Sequence, residues 1–99
     1  MEIERKIVEE ITIEEFAERH NLIMEIRDRG LKSEHPRYYA SFKNSEIEGD
    51  GVLIGAYENG ETEEEAIQGY AKRISEETLV INARKSDEQR IKVPILKET

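Results

Sequence analysis

Arg27, Arg29, Lys32, Arg37 and Lys43 form the most basic stretch of an acidic chain, and His35 stands among them. Guanidinium and ammonium groups gathered in this way recognise phosphate or carboxylate, and arginine can offer paired N–H donors to either. Tyr38 and Tyr39 fall inside the same stretch and Tyr57 follows it. Tyrosine and arginine are enriched among the side chains that anchor protein interfaces. Basic and aromatic groups together point to binding. The candidate binding residues are Arg27, Arg29, Lys32, His35, Arg37, Tyr39, Lys43 and Tyr57.

Catalysis finds less to work with. His20 and His35 are the only histidines, and neither sits in an HxH or HExxH spacing that would hold a metal. His20 falls on the apolar stripe of a helix, where packing accounts for it. There is no cysteine, which excludes a disulfide framework and a thiolate metal site. Carboxylates are plentiful, but Glu63, Glu64 and Glu65 are explained by the start of a helix, where negative charge meets the positive end of the dipole. No GxSxG or P-loop is present. The expected protein is not an enzyme and carries no cofactor.

The elements that would position the candidate residues follow from periodicity. Thr12-Ile13-Glu14-Glu15 and Thr62-Glu63-Glu64-Glu65 are capping boxes, each a threonine followed three residues later by glutamate. They predict helices over 13–20 and 63–75, the first stopping at Asn21. Ile13, Phe16, Ala17 and His20 share one face of the first, and Ala66, Ile67, Tyr70, Ala71 and Ile74 one face of the second. Leu22, Met24 and Ile26 alternate with Ile23, Glu25 and Arg27, which predicts a strand. A loop over 28–36 follows, and the strand 37–43 alternates Tyr38, Ala40 and Phe42 against Tyr39, Ser41 and Lys43. Residues 44–51 read as a polar turn and 52–57 as a third strand. Short strands are expected at 6–11, 79–83 and 91–95, with Pro94 confining the last to an edge.

The sum is an α+β domain of two layers, an antiparallel sheet with both helices on one face. It has an α-β-β-β-α core and extra strands near the C-terminus. Tyr39, Ser41, Lys43, Leu53 and Tyr57 would line the face away from the helices. Exposed sheet edges make a homo-oligomer a further expectation.

The chain of 99 residues is long enough for one domain, 1–99, with a modest core. Its net charge is −8, with residues 1–25 at −5, 26–45 at +3, 46–77 at −8 and 78–99 at +2. An acidic chain repels phosphate at long range, so non-specific nucleic-acid binding is disfavoured. No apolar run approaches the roughly 18 residues of a membrane span, and the opening Met1-Glu2-Ile3-Glu4-Arg5-Lys6 does not read as a secretion signal. A cytoplasmic protein with no membrane partner is expected.

Three resemblances bear on function. The order of elements over 12–75, with the loop Gly30-Leu31-Lys32-Ser33-Glu34-His35-Pro36 and the helix start Asn59-Gly60-Glu61-Thr62-Glu63-Glu64-Glu65-Ala66, resembles the double-stranded-RNA-binding domain. That resemblance implies the fold, and as an alternative function it implies duplex RNA binding. Where the family places lysines against phosphate, this chain has Glu63 and Glu64, which turn attraction into repulsion. Four segments, Ile7 to Ala17, Arg37 to Phe42, Gly60 to Ile67 and Leu79 to Ala83, look like small uncharacterised proteins of bacteriophages and prophages. This likeness implies an accessory protein that binds and inhibits or sequesters a host protein, a defence factor among them, or a small nucleotide signal. The helix start Gly60-x-Thr62-x-Glu64-Glu65-Ala66 is also similar to antitoxins of the HicB type, which implies a toxin-neutralising regulator as a further alternative.

Overall fold

The computed structural model describes residues 2–98; Met1 and Thr99, the two ends of the domain read from the sequence, lie outside them. Two helices and seven strands follow in the order α1 (Ile13–His20), β1 (Met24–Asp28), β2 (Tyr38–Phe42), β3 (Ser45–Gly49), β4 (Val52–Ile54), β5 (Glu58–Gly60), α2 (Glu63–Ile74), β6 (Thr78–Ile81) and β7 (Gln89–Lys92). The α+β class holds.

Both helices begin where their capping boxes predict. The Thr12 hydroxyl accepts from the Glu15 N–H at 3.2 Å, and Thr62 accepts from Glu65 at 3.1 Å. Each satisfies an amide that would otherwise lack an intrahelical partner. Asn21 ends α1 in a left-handed conformation, with its N–H closing on Ala17 and Glu18 carbonyls. α2 ends at Ile74, one residue before the predicted end, and Ser75 caps it; the Ser75 hydroxyl donates to the Ala71 carbonyl at 2.7 Å and accepts the Leu96 N–H at 3.0 Å.

The single expected sheet is two antiparallel sheets. One has the order β1-β2-β5 and the other β4-β3-β6-β7. Residues 45–49, expected to be a turn, are strand β3. Of the expected turn there remain Asn44, at φ 55° between β2 and β3, and Asp50-Gly51, both at positive φ (50° and 77°), which closes a two-residue hairpin in the register Gly49↔Val52. Positive φ at both central residues suits the right-handed twist of the strands it joins. That hairpin captures 52–54 for the second sheet, and the expected strand 52–57 stops at Ile54, with 55–57 in no strand. A further strand that was not expected, β5, follows and pairs with β2 in the register Tyr38↔Gly60, Tyr39↔Asn59, Ala40↔Glu58.

Further boundaries move, that of β1 among them, which runs Met24–Asp28 rather than from Leu22 to Arg27. Asn82 takes a left-handed conformation (φ 53°) and stops β6 at Ile81 rather than Ala83. The last strand, β7, sits earlier than expected because Pro94 lacks an N–H; Val93 pairs outside the ladder, donating to the Glu77 carbonyl at 2.9 Å. Residues 6–11 belong to no strand; the Lys97 N–H bonds the Ile11 carbonyl at 2.9 Å, beside a single Thr12↔Lys97 bridge, Ile11 joins the core, and Glu9 pairs with Arg19. Ile7 and Val8 are adjacent, so an extended backbone sends them to opposite sides and no one face is apolar.

One buried cluster spans both sheets. Phe42 is its centre, with the Phe16 ring of α1 at 6.2 Å and the Tyr70 ring of α2 edge-on at 5.5 Å, so both helices pack on the same side of β2. Ile47, Leu79 and Ile81 extend the cluster into the second sheet, and Val93 and Leu96 add to it from the C-terminal segment. Gly60 lets α2 approach: a Cβ there would lie 2.4 Å from the Ala66 backbone nitrogen. The opposite side of the second sheet is laced with charge. Arg90 bonds Glu48 diagonally across fully buried Val80.

Candidate binding face

Alternation along β1 and β2 sends Met24, Ile26, Tyr38, Ala40 and Phe42 toward the helices and Glu25, Arg27, Tyr39 and Ser41 away from them. Tyr57 and Asn59 lie on the same outward side from β5 and the residue before it. The result is an open face on the three-stranded sheet. At its centre the Tyr39 and Tyr57 rings meet edge-on, with centroids 5.4 Å apart and planes 64° apart. Tyr57 is 51% exposed, and Tyr39 is half-buried beneath its neighbours.

Arg29 completes this cluster. Its guanidinium carbon sits 4.3 Å from the Tyr39 ring centre, a cation–π geometry. One of its terminal nitrogens, Nη1, donates at 2.8 Å both to the Pro36 carbonyl and to the Asn59 side-chain oxygen. The backbone supports the same arrangement, because the Arg29 N–H donates to the Arg37 carbonyl at 2.7 Å and prolongs the β1–β2 ladder. Arg29 is therefore fixed by contacts from β2, from β5 and from the loop that precedes β2. Arg27, directly opposite Tyr39 in the ladder, is exposed and pairs loosely with Glu25 at 3.4 Å.

The other sequence-predicted residues are placed elsewhere. Arg37 makes a two-pronged bond to Asp28 at 2.9 and 3.0 Å and lies 4.9 Å over the Tyr38 ring, on the helix-covered side near the start of α2. This contact holds the Asp28 carboxyl below its ordinary value, helped by the Gly30 N–H, and raises Arg37 above its own. Lys32 and His35 are exposed in the loop after Gly30, where the His35 N–H donates to Ser33 Oγ at 3.1 Å. Lys43 is exposed at the far end of β2, roughly 13 Å along the strand from Tyr39 at about 3.3 Å per residue. Leu53, expected beside Tyr57, is instead opposite Glu48 in the second sheet, because the Asp50-Gly51 hairpin carries it there.

Two residues of the arrangement were not singled out by sequence reasoning. Asn59 stands two positions after Tyr57 and shares its side by simple alternation, which is a usable signal. Asp28 as the Arg37 partner had none, since its pairing depends on the β1–β2 register. His20 packs on the Phe16 ring at 4.7 Å, as its place on the α1 stripe predicts. Among the described residues no group of His, Asp and Glu side chains is placed to hold a metal ion, and no helix is long and apolar enough to cross a membrane. A polar groove of about 280 Å³, lined by Glu25, Ser41, Asn44, Glu46, Asn82 and Lys85, marks the corner where the two sheets meet. No protein family, curated protein or solved structure matches the chain.

Proposed function

We propose that this is a non-enzymatic binding protein, a phage or prophage accessory protein in kind, that inhibits or sequesters a host protein through its open sheet face. The observation that carries the reading is the prearranged Tyr39–Tyr57–Arg29 cluster. Ordering a long arginine before binding removes part of the entropy that association would otherwise cost. An exposed tyrosine beside a fixed guanidinium matches the composition of protein-interface anchors. The assignment to phage accessory proteins rests on the segment likenesses described above. A host defence factor is the partner that this likeness implies, and a cytoplasmic setting goes with it.

The same cluster is less suited to a small nucleotide signal. Two rings 64° apart form no parallel slot for a base, and Arg29 already covers one face of Tyr39. Duplex RNA is opposed by Glu63, Glu64 and Glu65, all exposed on the first turn of α2. Toxin neutralisation in the HicB manner rests on the short helix-start motif, whose Gly60 and Thr62 have the structural duties already described.

The test compares wild type, Tyr57→Ala with Arg29→Ala, and Lys72→Ala as a control on the far helix. Proteins captured from the bacterial host by wild type and control but not by the double variant are then purified and titrated. A tenfold or greater rise in Kd for the folded double variant, with the control unchanged, supports the reading. Equal affinity for all three rejects the face. Native mass spectrometry of the freshly purified protein, showing a small mass released on denaturation, would replace the protein partner with a nucleotide. Salt-sensitive complexes with duplex RNA would replace it with nucleic acid.

A further inference from the structure

We infer that the open sheet face recognises an acidic side chain, an aspartate or glutamate of its protein partner, through the unpaired edge of the Arg29 guanidinium. The inference rests on the reading of this face as a protein-binding surface and names what the face selects. Both side-chain bonds that fix Arg29 use Nη1, one to the Pro36 carbonyl and one to Asn59. Nε and Nη2, along another edge of the guanidinium, have no hydrogen-bond partner among the described residues. Neither atom is buried, so both can be met from solvent. The same two atoms of Arg37 grip both oxygens of Asp28 at 2.9 and 3.0 Å. Arg29 thus presents, unpaired, the fork that Arg37 closes on a carboxylate.

The charges nearest the cluster leave this guanidinium uncompensated. Arg27 pairs with Glu25, and Asp28 pairs with Arg37. Glu58 precedes Asn59 but is turned to the other side of the sheet, where its side chain lies beside Gly69 of α2. Arg29 is half-buried and has no ion pair among the described residues. A partly desolvated charge without a counter-charge is costly, and a carboxylate brought against it offsets that cost with two parallel charge-assisted bonds. Tyr57, 51% exposed, offers ring surface to whatever flanks the acid. Phosphate fits less well. A phosphorylated side chain carries a charge of about −1.5 to −2 and is recognised by clusters of arginine. This face offers one unpaired guanidinium in a chain of net charge −8.

The probe is a random peptide library panned on the intact wild-type protein, with the selected peptides synthesised and titrated singly. They should bind wild type at least tenfold more tightly than the folded Tyr57→Ala variant, and should share an aspartate or glutamate. Replacing that acid by its amide should raise Kd at least tenfold on wild type. On Arg29→Lys, which keeps the charge but loses the fork, the same replacement should change Kd less than twofold. Circular dichroism checks the fold of both protein variants. The amide replacement is made in the peptide and leaves the protein untouched, and an Arg29 with only a structural role would show no such coupling. Peptides that depend on Tyr57 but share no acid, or whose acid is indifferent to Arg29→Lys, overturn the carboxylate and leave the binding face standing. Peptides held equally by wild type and both variants, or a library that yields no binder, overturn the face and the inference together. Inorganic phosphate that displaces a selected peptide at lower concentration than acetate, at equal ionic strength, overturns the carboxylate in favour of phosphate.

Discussion

Gly60 is the position where one methyl group would do most damage. An added Cβ meets backbone and Cβ atoms of Glu65 and Ala66 between 2.4 and 2.8 Å away, and a helix backbone cannot rotate aside as a side chain can. Gly60→Ala should therefore cost toward the upper end of the overpacking range, about 3 kcal/mol, read as a lowered urea midpoint. Gly69→Ala is the contrast: its Cβ would come no closer than 3.4 Å to Glu58, and alanine favours the helix, so stability should hold or rise. Asp28 offers a pH-dependent test. Its folded pKa lies below the unfolded carboxylate value of about 3.9, so its contribution is present above that value. The contribution fades as pH falls toward the lower folded value. The stability gap between wild type and Asp28→Asn should be constant above about pH 5 and shrink below pH 4. A gap that widens in acid would contradict the Arg37 contact.

At the scale of elements, the helices stand on their caps. Thr62→Ala should destabilise by about 1 kcal/mol, and Thr62→Ser should restore most of it, since a hydroxyl suffices to accept the Glu65 N–H. These starts were legible because capping is local: four residues contain the donor, the acceptor and the reciprocal glutamate. Strands β1 and β2 were legible for a similar reason, as their alternation separates Tyr38 from Tyr39. Strand β3 was not, because Ile47 is its one large apolar residue and the glutamates on either side resemble a loop. Asp50-Gly51 was the available signal, a two-residue turn that implies a strand on each side. Strand β5 carries Glu58, Asn59 and Gly60, and no propensity selects it; it is a strand because β2 offers an edge and α2 closes over it. The candidate face was half readable by the same logic. Tyr39 and Tyr57 followed from alternation, whereas the division between Arg29 and Arg37 depends on pairing across the sheet.

For the whole molecule, two sheets share one buried cluster, since Ile47 and Leu79 from one and Phe42 from the other pack together. A shared core couples the sheets, so denaturation should be a single transition, with tyrosine fluorescence and far-ultraviolet circular dichroism giving coincident curves. Two separated midpoints would mean that the β4-β3-β6-β7 sheet opens alone. The long sequence separation of β3 from β6 means that a large loop must close before this pairing forms, which slows folding relative to a helical protein of equal length.

The hairpin at Asp50-Gly51 joins two strands of the second sheet, whereas the Tyr39 cluster belongs to the first, and both turn residues are exposed. The molecule thus has a natural acceptor for foreign sequence. Replacing the two-residue turn with about twelve flexible residues should cost only about 1.5 kcal/mol of loop closure. An epitope or fluorophore site placed there would let the protein be followed in a cell with its candidate surfaces untouched.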